Sequence, residues 1–271
     1  MIEPGPSVSP VASPSVSPAA SPSVSPAASP SVSPAAGPSV SPAVGAPELD
    51  GQTDLGPGRL RPAWVEIDLA AIRHNAGVLA ELSAPARLCA VVKAGGYGHG
   101  SAEVARAALE GGAGWLAVAL VEEGVELREA GIDVPILLLS QPTPAAMSEV
   151  VRTSLTPTVD TPLGLEALVA AVREVKGTRP FAVHVKVDTG MHRVGARRDD
   201  AIALALDVER DPDLTLEGLW THLAVSDELD NPYTGEQLAR FDGVLADLAR
   251  VDVHPPIRHA ANSGAALWHP A

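Results

Sequence analysis

Lys93 closes an apolar run, Leu88–Lys93, and is followed by Ala-Gly-Gly-Tyr-Gly-His-Gly up to Gly100. An ammonium leaving an apolar strand is costly unless it points into a wet pocket or reacts. Partial desolvation favours the neutral amine, the form of lysine that makes a Schiff base. Four glycines within 95–100 let backbone approach a ligand closely. A snorkelling lysine beside an ordinary loop remains open on these residues alone. A second candidate is Ala182-Val-His-Val-Lys-Val-Asp188, where alternation sets Val183, Val185 and Val187 on one face and His184, Lys186 and Asp188 on the other. Three polar residues on one face of a central strand point to a wet site or to a buried Lys186–Asp188 ion pair. Arg193 follows in the loop, placed to grip a carboxylate bidentately. Trp220-Thr-His222 and His259-Ala-Ala-Asn-Ser263 end two more runs in polar side chains, and Asn262-Ser263 reads as a helix start able to meet an anion.

Such residues need elements to hold them. Strand candidates are Trp64–Leu69, Leu88–Lys93, Trp115–Leu120, Pro135–Ser140, Leu155–Val159, Ala182–Asp188, Leu216–His222 and Ile257–Asn262. Between them lie stretches of Ala, Leu, Glu and Arg, good helix formers. In 101–112, Ser101 is the expected cap, Val104, Ala105, Ala108 and Leu109 the apolar stripe, and Gly111 the stop. Gly131 and Gly177 close the helices beginning near Val121 and Pro162. Alternating strand and helix means a parallel sheet, and runs such as Ile136–Leu139 are apolar on both faces, as buried parallel strands are. A doubly wound sheet competes with a barrel. No dinucleotide-type glycine turn follows the first strands, and the number of units favours the barrel, whose chemistry sits at the strand ends.

The front of the chain differs in kind. Of the 26 prolines, twelve fall before Gly51, and residues 6–45 are five copies of a Pro-Ser-Val-Ser-Pro-Ala-Ala-Ser octad. Repetition can mean a solenoid, but one valine per unit makes no core, so 1–60 read as a disordered or polyproline-II tail and linker. Its role is a spacer, a ligand for a proline-binding module, or a dispensable extension. Residues 61–271 form the folded domain. A net charge of -14, from 33 acids and 19 bases with no basic run, speaks against nucleic-acid or anionic-membrane partners. One cysteine allows no intrachain disulfide, the start resembles no signal peptide and no run reaches membrane-span length, so the cytoplasm is the expected address. The eight histidines hold no His-Glu-x-x-His metal motif.

The run Ala90-Val-Val-Lys93-Ala-Gly-Gly-Tyr97-Gly-His-Gly100 resembles the cofactor-lysine signature of alanine racemases. The resemblance continues through Arg61–Asp68, Lys186–Gly195, Leu219–His222 and His259–Ser263, in the same order. It implies a (β/α)8 TIM-type barrel that binds pyridoxal 5'-phosphate and interconverts L- and D-alanine, an isomerase supplying peptidoglycan. It implies Lys93 as the lysine that holds the cofactor and as the base on one face of the substrate Cα. Tyr97, Asn262 and Ser263 are then the phosphate contacts. Arg193 orients the substrate carboxylate, His222 supports the pyridine-nitrogen partner, and Lys186 is the lysine carbamylated in many members. Two departures stand out. Gly95-Gly96 replaces the usual Asp/Asn-Ala, with an expected loosening of about 1 kcal/mol per glycine. The chain also stops eight residues after Ser263, before the family's last barrel strand and its β-rich domain, which carries the opposite-face tyrosine base across a homodimer. The family further assigns Trp64–Leu69 to that second domain, leaving seven barrel strands. The expectation is therefore a C-terminally incomplete racemase that does not racemise alanine by itself. A non-catalytic cofactor-binding barrel, a non-functional gene fragment and a different amino-acid racemase are the alternatives.

Overall fold

The computed structural model describes residues 65–269 except 176 and 178. The octad tail, the linker and Trp64 lie outside these residues. The described elements run α1 (Leu69–Leu82), β1 (Cys89–Val91), α2 (Lys93–Tyr97), α3 (Ser101–Glu110), β2 (Trp115–Val118), α4 (Val121–Glu129), β3 (Ile136–Leu138), α5 (Met147–Arg152), β4 (Thr158–Val159), α6 (Pro162–Glu174), β5 (Phe181–Lys186), α7 (Arg198–Arg210), β6 (Leu214–Trp220), α8 (Tyr233–Ala249), β7 (Ile257–His259) and α9 (Ser263–Trp268).

Every strand pairing is parallel. β1, β2 and β3 are neighbours, as are β4, β5, β6 and β7, and the bridge Leu137↔Thr156 joins the two groups into one sequential order. The sheet curls. Ile257 of β7 packs with Trp115, Ala117 and Leu137 of β2 and β3, a contact that a flat sheet of this order forbids. The ring of His184 in β5 lies 5.6 Å from that of Trp115 in β2. On the outside, Val183, Val185 and Val187 pack against α6, α7 and α8 through Leu168, Leu204 and Val244, so the outer face of the central strands is dry. The helical ring nearly completes itself, since α9 touches α1. Among the described residues β1 and β7 each have a strand partner on one side only. This is the barrel architecture expected, with seven strands.

Three local expectations need correction. Residues 65–68 are not a strand. Their alternation mimics one, but among the described residues no strand pairs with them, and Val65 is 82% exposed. Asp68 instead caps α1, its Oδ1 accepting from the N–H groups of Ala70 (2.8 Å) and Ala71 (3.0 Å). The cap position of α3 is Gly100, and Ser101 is its first helical residue, buried. The runs to Val159 and Asn262 also shrink. Pro157 has no N–H to give a ladder, so β4 begins at Thr158, and β7 ends at His259.

Candidate active site

Val92 is buried, and the next residues turn the chain the unusual way. Ala94, Gly95, Gly96 and Tyr97 have φ of 53°, 65°, 61° and 58°, one turn of left-handed helix. This overturns the expected loosening by Gly95-Gly96. An L-residue in this region suffers about 1–2 kcal/mol of Cβ–carbonyl crowding that glycine escapes, so the pair relieves the turn. Nothing lies within 4 Å of a Cβ built on Gly95, which leaves backbone strain as the sole cost of a side chain there. Gly95→Ala is expected to destabilise the chain by about 1 kcal/mol in a urea titration; an unchanged or raised midpoint contradicts the left-handed geometry.

Glu123 clamps this turn. One carboxylate oxygen accepts from Ala94 N–H (2.6 Å) and the other from Ala119 (2.8 Å) and Leu120 (3.0 Å) at the start of α4. Burial alone raises its pKa, but these N–H groups and the Lys93 charge outweigh it and hold the carboxyl below its usual range. Glu123 escaped the sequence reading. Its signal was an acid in the first turn of α4, which looks like ordinary capping.

On β5 the alternation holds. His184 and Lys186 point inward, 1% and 3% exposed, while the valines face the helices. Lys186 Nζ donates to the Leu139 carbonyl at 3.2 Å and lies 3.9 Å from the centre of the Trp220 ring. Burial, then the Arg193 charge, pushes its pKa down to about 8, with Asp160 and Asp188 opposing and Lys93 adding to the shift. The Lys186–Asp188 ion pair is not formed. Asp188 Oδ1 instead accepts from Gly190 (2.9 Å) and His192 (3.1 Å), folding the loop that carries Arg193. That loop closes on itself through Asp188 N–H to Ala196 O (2.8 Å) and Ala196 N–H to Lys186 O (2.9 Å). Helix α8 pins it, with Tyr233 Oη donating to Gly190 O (2.9 Å) and Arg240 to Thr189 O (2.8 Å). Gln237 Nε2 spans Thr189 Oγ1 (3.2 Å) and His222 O (3.1 Å), tying the loop to the end of β6.

His222 follows Trp220 and Thr221 out of β6. Burial and then the charges of Arg193, Lys186 and Lys93 push it down to about 4. His259 at the end of β7 is pushed to about 3 by burial, then His184 and Lys186. Both are neutral imidazoles in the fold and basic ones in the unfolded chain. The unfolded state therefore binds more protons below pH 6.5, and stability complete above that pH is lost as pH falls towards 4. The expected loss is about 1.4 kcal/mol per pH unit for each histidine. Urea midpoints measured against pH check this. His259→Phe, which keeps the ring stacked on Trp220, should flatten the slope, and an unchanged slope in that variant contradicts it.

Four of the seven sequence candidates therefore meet. Lys93, Lys186, Arg193 and His222 all follow or end β1, β5 and β6 on their C-terminal side, and the Lys93 and Arg193 charges bear on both Lys186 and His222. The other three follow β1 and β7 at the same strand ends. Tyr97 is 57% exposed at the end of the left-handed turn. Ser263 is exposed at the start of α9. The Asn262 side chain is spent on structure, its Oδ1 accepting from Ala265 N–H (3.0 Å) and Ser226 Oγ (2.5 Å) and its Nδ2 donating to Leu223 O (3.2 Å).

The charges that lower His222 are those of Arg193, Lys186 and Lys93. An anion beside it is favoured, and a lysine stands at the same rim. That donor set fits an anionic, aldehyde-bearing cofactor such as pyridoxal 5'-phosphate. The alanine racemase N-terminal domain family matches residues 67–271. The chain belongs to that family. Alanine racemase of Symbiobacterium thermophilum is 47% identical over 216 residues, 78% of this chain and 55% of the relative. That of Desulfovibrio desulfuricans is 42% identical over 211 residues, 78% and 56% respectively. Among solved structures, alanine racemase from E. faecalis superposes with a TM-score of 0.68 at 39% identity, covering 75% of this chain and 54% of that one. The Streptomyces coelicolor A3(2) enzyme gives 0.69 at 38% identity, covering 75% and 55%. The chain thus spans a little over half the length of the alanine racemases it matches. Among the described residues no helix is long and apolar enough to cross a membrane.

Proposed function

We propose that this alanine-racemase domain holds pyridoxal 5'-phosphate and serves the interconversion of L- and D-alanine. The observation that carries the reading is Lys93 on its left-handed turn, set at the same rim as Lys186, Arg193 and His222. The cofactor, when bound, draws electrons from the substrate Cα. Lys93 anchors it and moves the α-proton on one face. Arg193, on a loop closed over Asp188 and pinned by α8, receives the substrate carboxylate. His222, kept neutral, accepts or donates one hydrogen bond without adding charge. Tyr97 and the Ser263 hydroxyl reach the phosphate, while Asn262 shapes the start of α9. A racemase from Bacillus anthracis, 36% identical, has been solved with bound L-Ala-P.

Lys186 is the proposed carbamylation site. The ammonium first loses one proton; the neutral Nζ then attacks CO2, forming an N–C bond as one C–O π bond opens onto oxygen, and loses a second proton, so that a buried cation is exchanged for an anion. A pKa of about 8 leaves enough neutral amine for that attack near neutral pH. Return of the proton on the opposite face of Cα requires a second base, which we assign to a domain beyond these residues and across a homodimer, in the cytoplasm.

The test is to add cofactor, reduce with borohydride, digest and locate the label by mass spectrometry. The expected label is on Lys93. A folded chain that takes no label, or takes it elsewhere, overturns the reading.

A further inference from the structure

Below the site the barrel interior holds a polar chain that the reading above does not use. The ladder between β5 and β6 slips by one residue, with Val183 facing Leu216 but His184 facing Gly218. Glu217 is the extra residue of a bulge, and bulges re-aim side chains. Its effect is visible in the core, where Leu216 and Leu219, three apart, both pack on the outer helices. Glu217 is turned so that its Oε2 is buried, 3.3 Å from Nε2 of His184. The approach is oblique, and neither atom has another partner among the described residues. Gly218 supplies the room. A Cβ there would stand 2.5 Å from Cε1 and Nδ1 of His184, so the ring lies across β6 in space that only glycine leaves. From there His184 Nδ1 reaches Nε2 of His259 on β7 at 3.1 Å. His259 in turn stacks on Trp220 (5.1 Å, 9°), the ring that carries the Lys186 ammonium.

We propose that Glu217 acts as a positioning residue, setting the proton order of a Glu217–His184–His259 relay and so locking His259 in a single tautomer beneath Lys186. A carboxylate oxygen beside an imidazole nitrogen attracts its N–H and repels its lone pair. His184 therefore carries its proton on Nε2, facing Glu217. Its Nδ1 is then a lone pair, which obliges His259 to donate from Nε2 and leaves His259 Nδ1 unprotonated. A ring lone pair turned to that oxygen would leave both atoms unsatisfied and repel the carboxylate, so the oblique N–H contact is the better arrangement. Charged groups bearing on the pair are Glu217 from β6 and Lys186 from β5. A neutral His259 of fixed orientation keeps the Trp220 platform level without placing a second cation next to Lys186. The relay stands whatever group occupies the rim above it.

The test uses the 271-residue chain with ring-15N-labelled histidine and two-bond 1H–15N correlation, without cofactor. His184→Gln and His259→Gln assign the signals. Both rings are expected as pure Nε2–H tautomers in the unsubstituted chain. Glu217→Gln, whose amide can donate as well as accept, is expected to abolish that purity and give His259 an Nδ1–H population. An Nδ1–H tautomer on His259 in the unsubstituted chain overturns the proposal with no variant needed. So does a folded Glu217→Gln chain with unmoved ring signals. Cofactor labelling at Lys93 is independent of either result, so the two readings fail separately.

Discussion

Lys93→Ala abolishes the visible absorbance that added pyridoxal 5'-phosphate is expected to give with this chain, while the fold survives. The substitution removes the one amine that leaves β1 at the rim, and no neighbour can replace it. Lys186 is 3% exposed, bonded to the Leu139 carbonyl and laid on Trp220. Arg193 does not form such a bond at all. Stability should change little, because the Lys93 side chain makes no hydrogen bond among the described residues. Ala94 is held by Glu123, and Gly96 N–H reaches Val92 O at 3.0 Å. The measurement pairs a spectrophotometric cofactor titration with a urea melt. A full-strength band in the folded variant would remove Lys93 from the site.

Lys186→Met makes the chain more stable at neutral pH in CO2-free buffer. In the fold Lys186 titrates at about 8 against 10.5 unfolded, so its buried charge works against folding below pH 8. The unfolded chain binds more protons between pH 8 and 10.5, and stability rises through that window. Removing the ammonium should return on the order of 1–3 kcal/mol at pH 7, less what Asp160 loses when its cationic neighbour goes. The thioether still packs on the Trp220 ring. Urea melts at pH 7 and pH 10 check it, and a variant less stable than the parent at pH 7 contradicts it. Bicarbonate supplies a second arm. If Lys186 takes up CO2, the parent gains stability with bicarbonate, Lys186→Met does not, and 13C-bicarbonate gives a carbamate signal in the parent only.

The parts of this site legible in the sequence are those that obey a period. Alternation on β5 placed His184 and Lys186 inward and the three valines outward because both faces of that strand are fully buried. The lysine and glycine run after β1 announced a special turn, but not its hand. Composition says glycine is permissive, and only φ shows that Gly95-Gly96 settles a left-handed turn rather than loosening it. Glu123 was invisible because a carboxylate in the first turn of a helix is common on general grounds, whereas its bond to Ala94 spans 29 positions. Glu217 was hidden by the bulge. Alternation counted back from Leu219 sends it to the outer face and counted forward from Leu216 to the inner one, and the inserted residue keeps both leucines outward with the Glu217 carboxyl at His184. Residues 65–68 failed in the opposite way, with a strand-like pattern and no partner strand to use it. The tail and its octads lie outside the described residues.

The unshared sides of β1 and β7 have a kinetic meaning. Among the described residues each offers a short row of N–H and C=O groups to water or to another strand. Such an edge is a template for an extended segment of a neighbouring copy at high concentration. Both edges are three residues long, and Arg258 at the middle of β7 is exposed, so the ledge is brief and charged on one side. That brevity discourages indiscriminate stacking of copies.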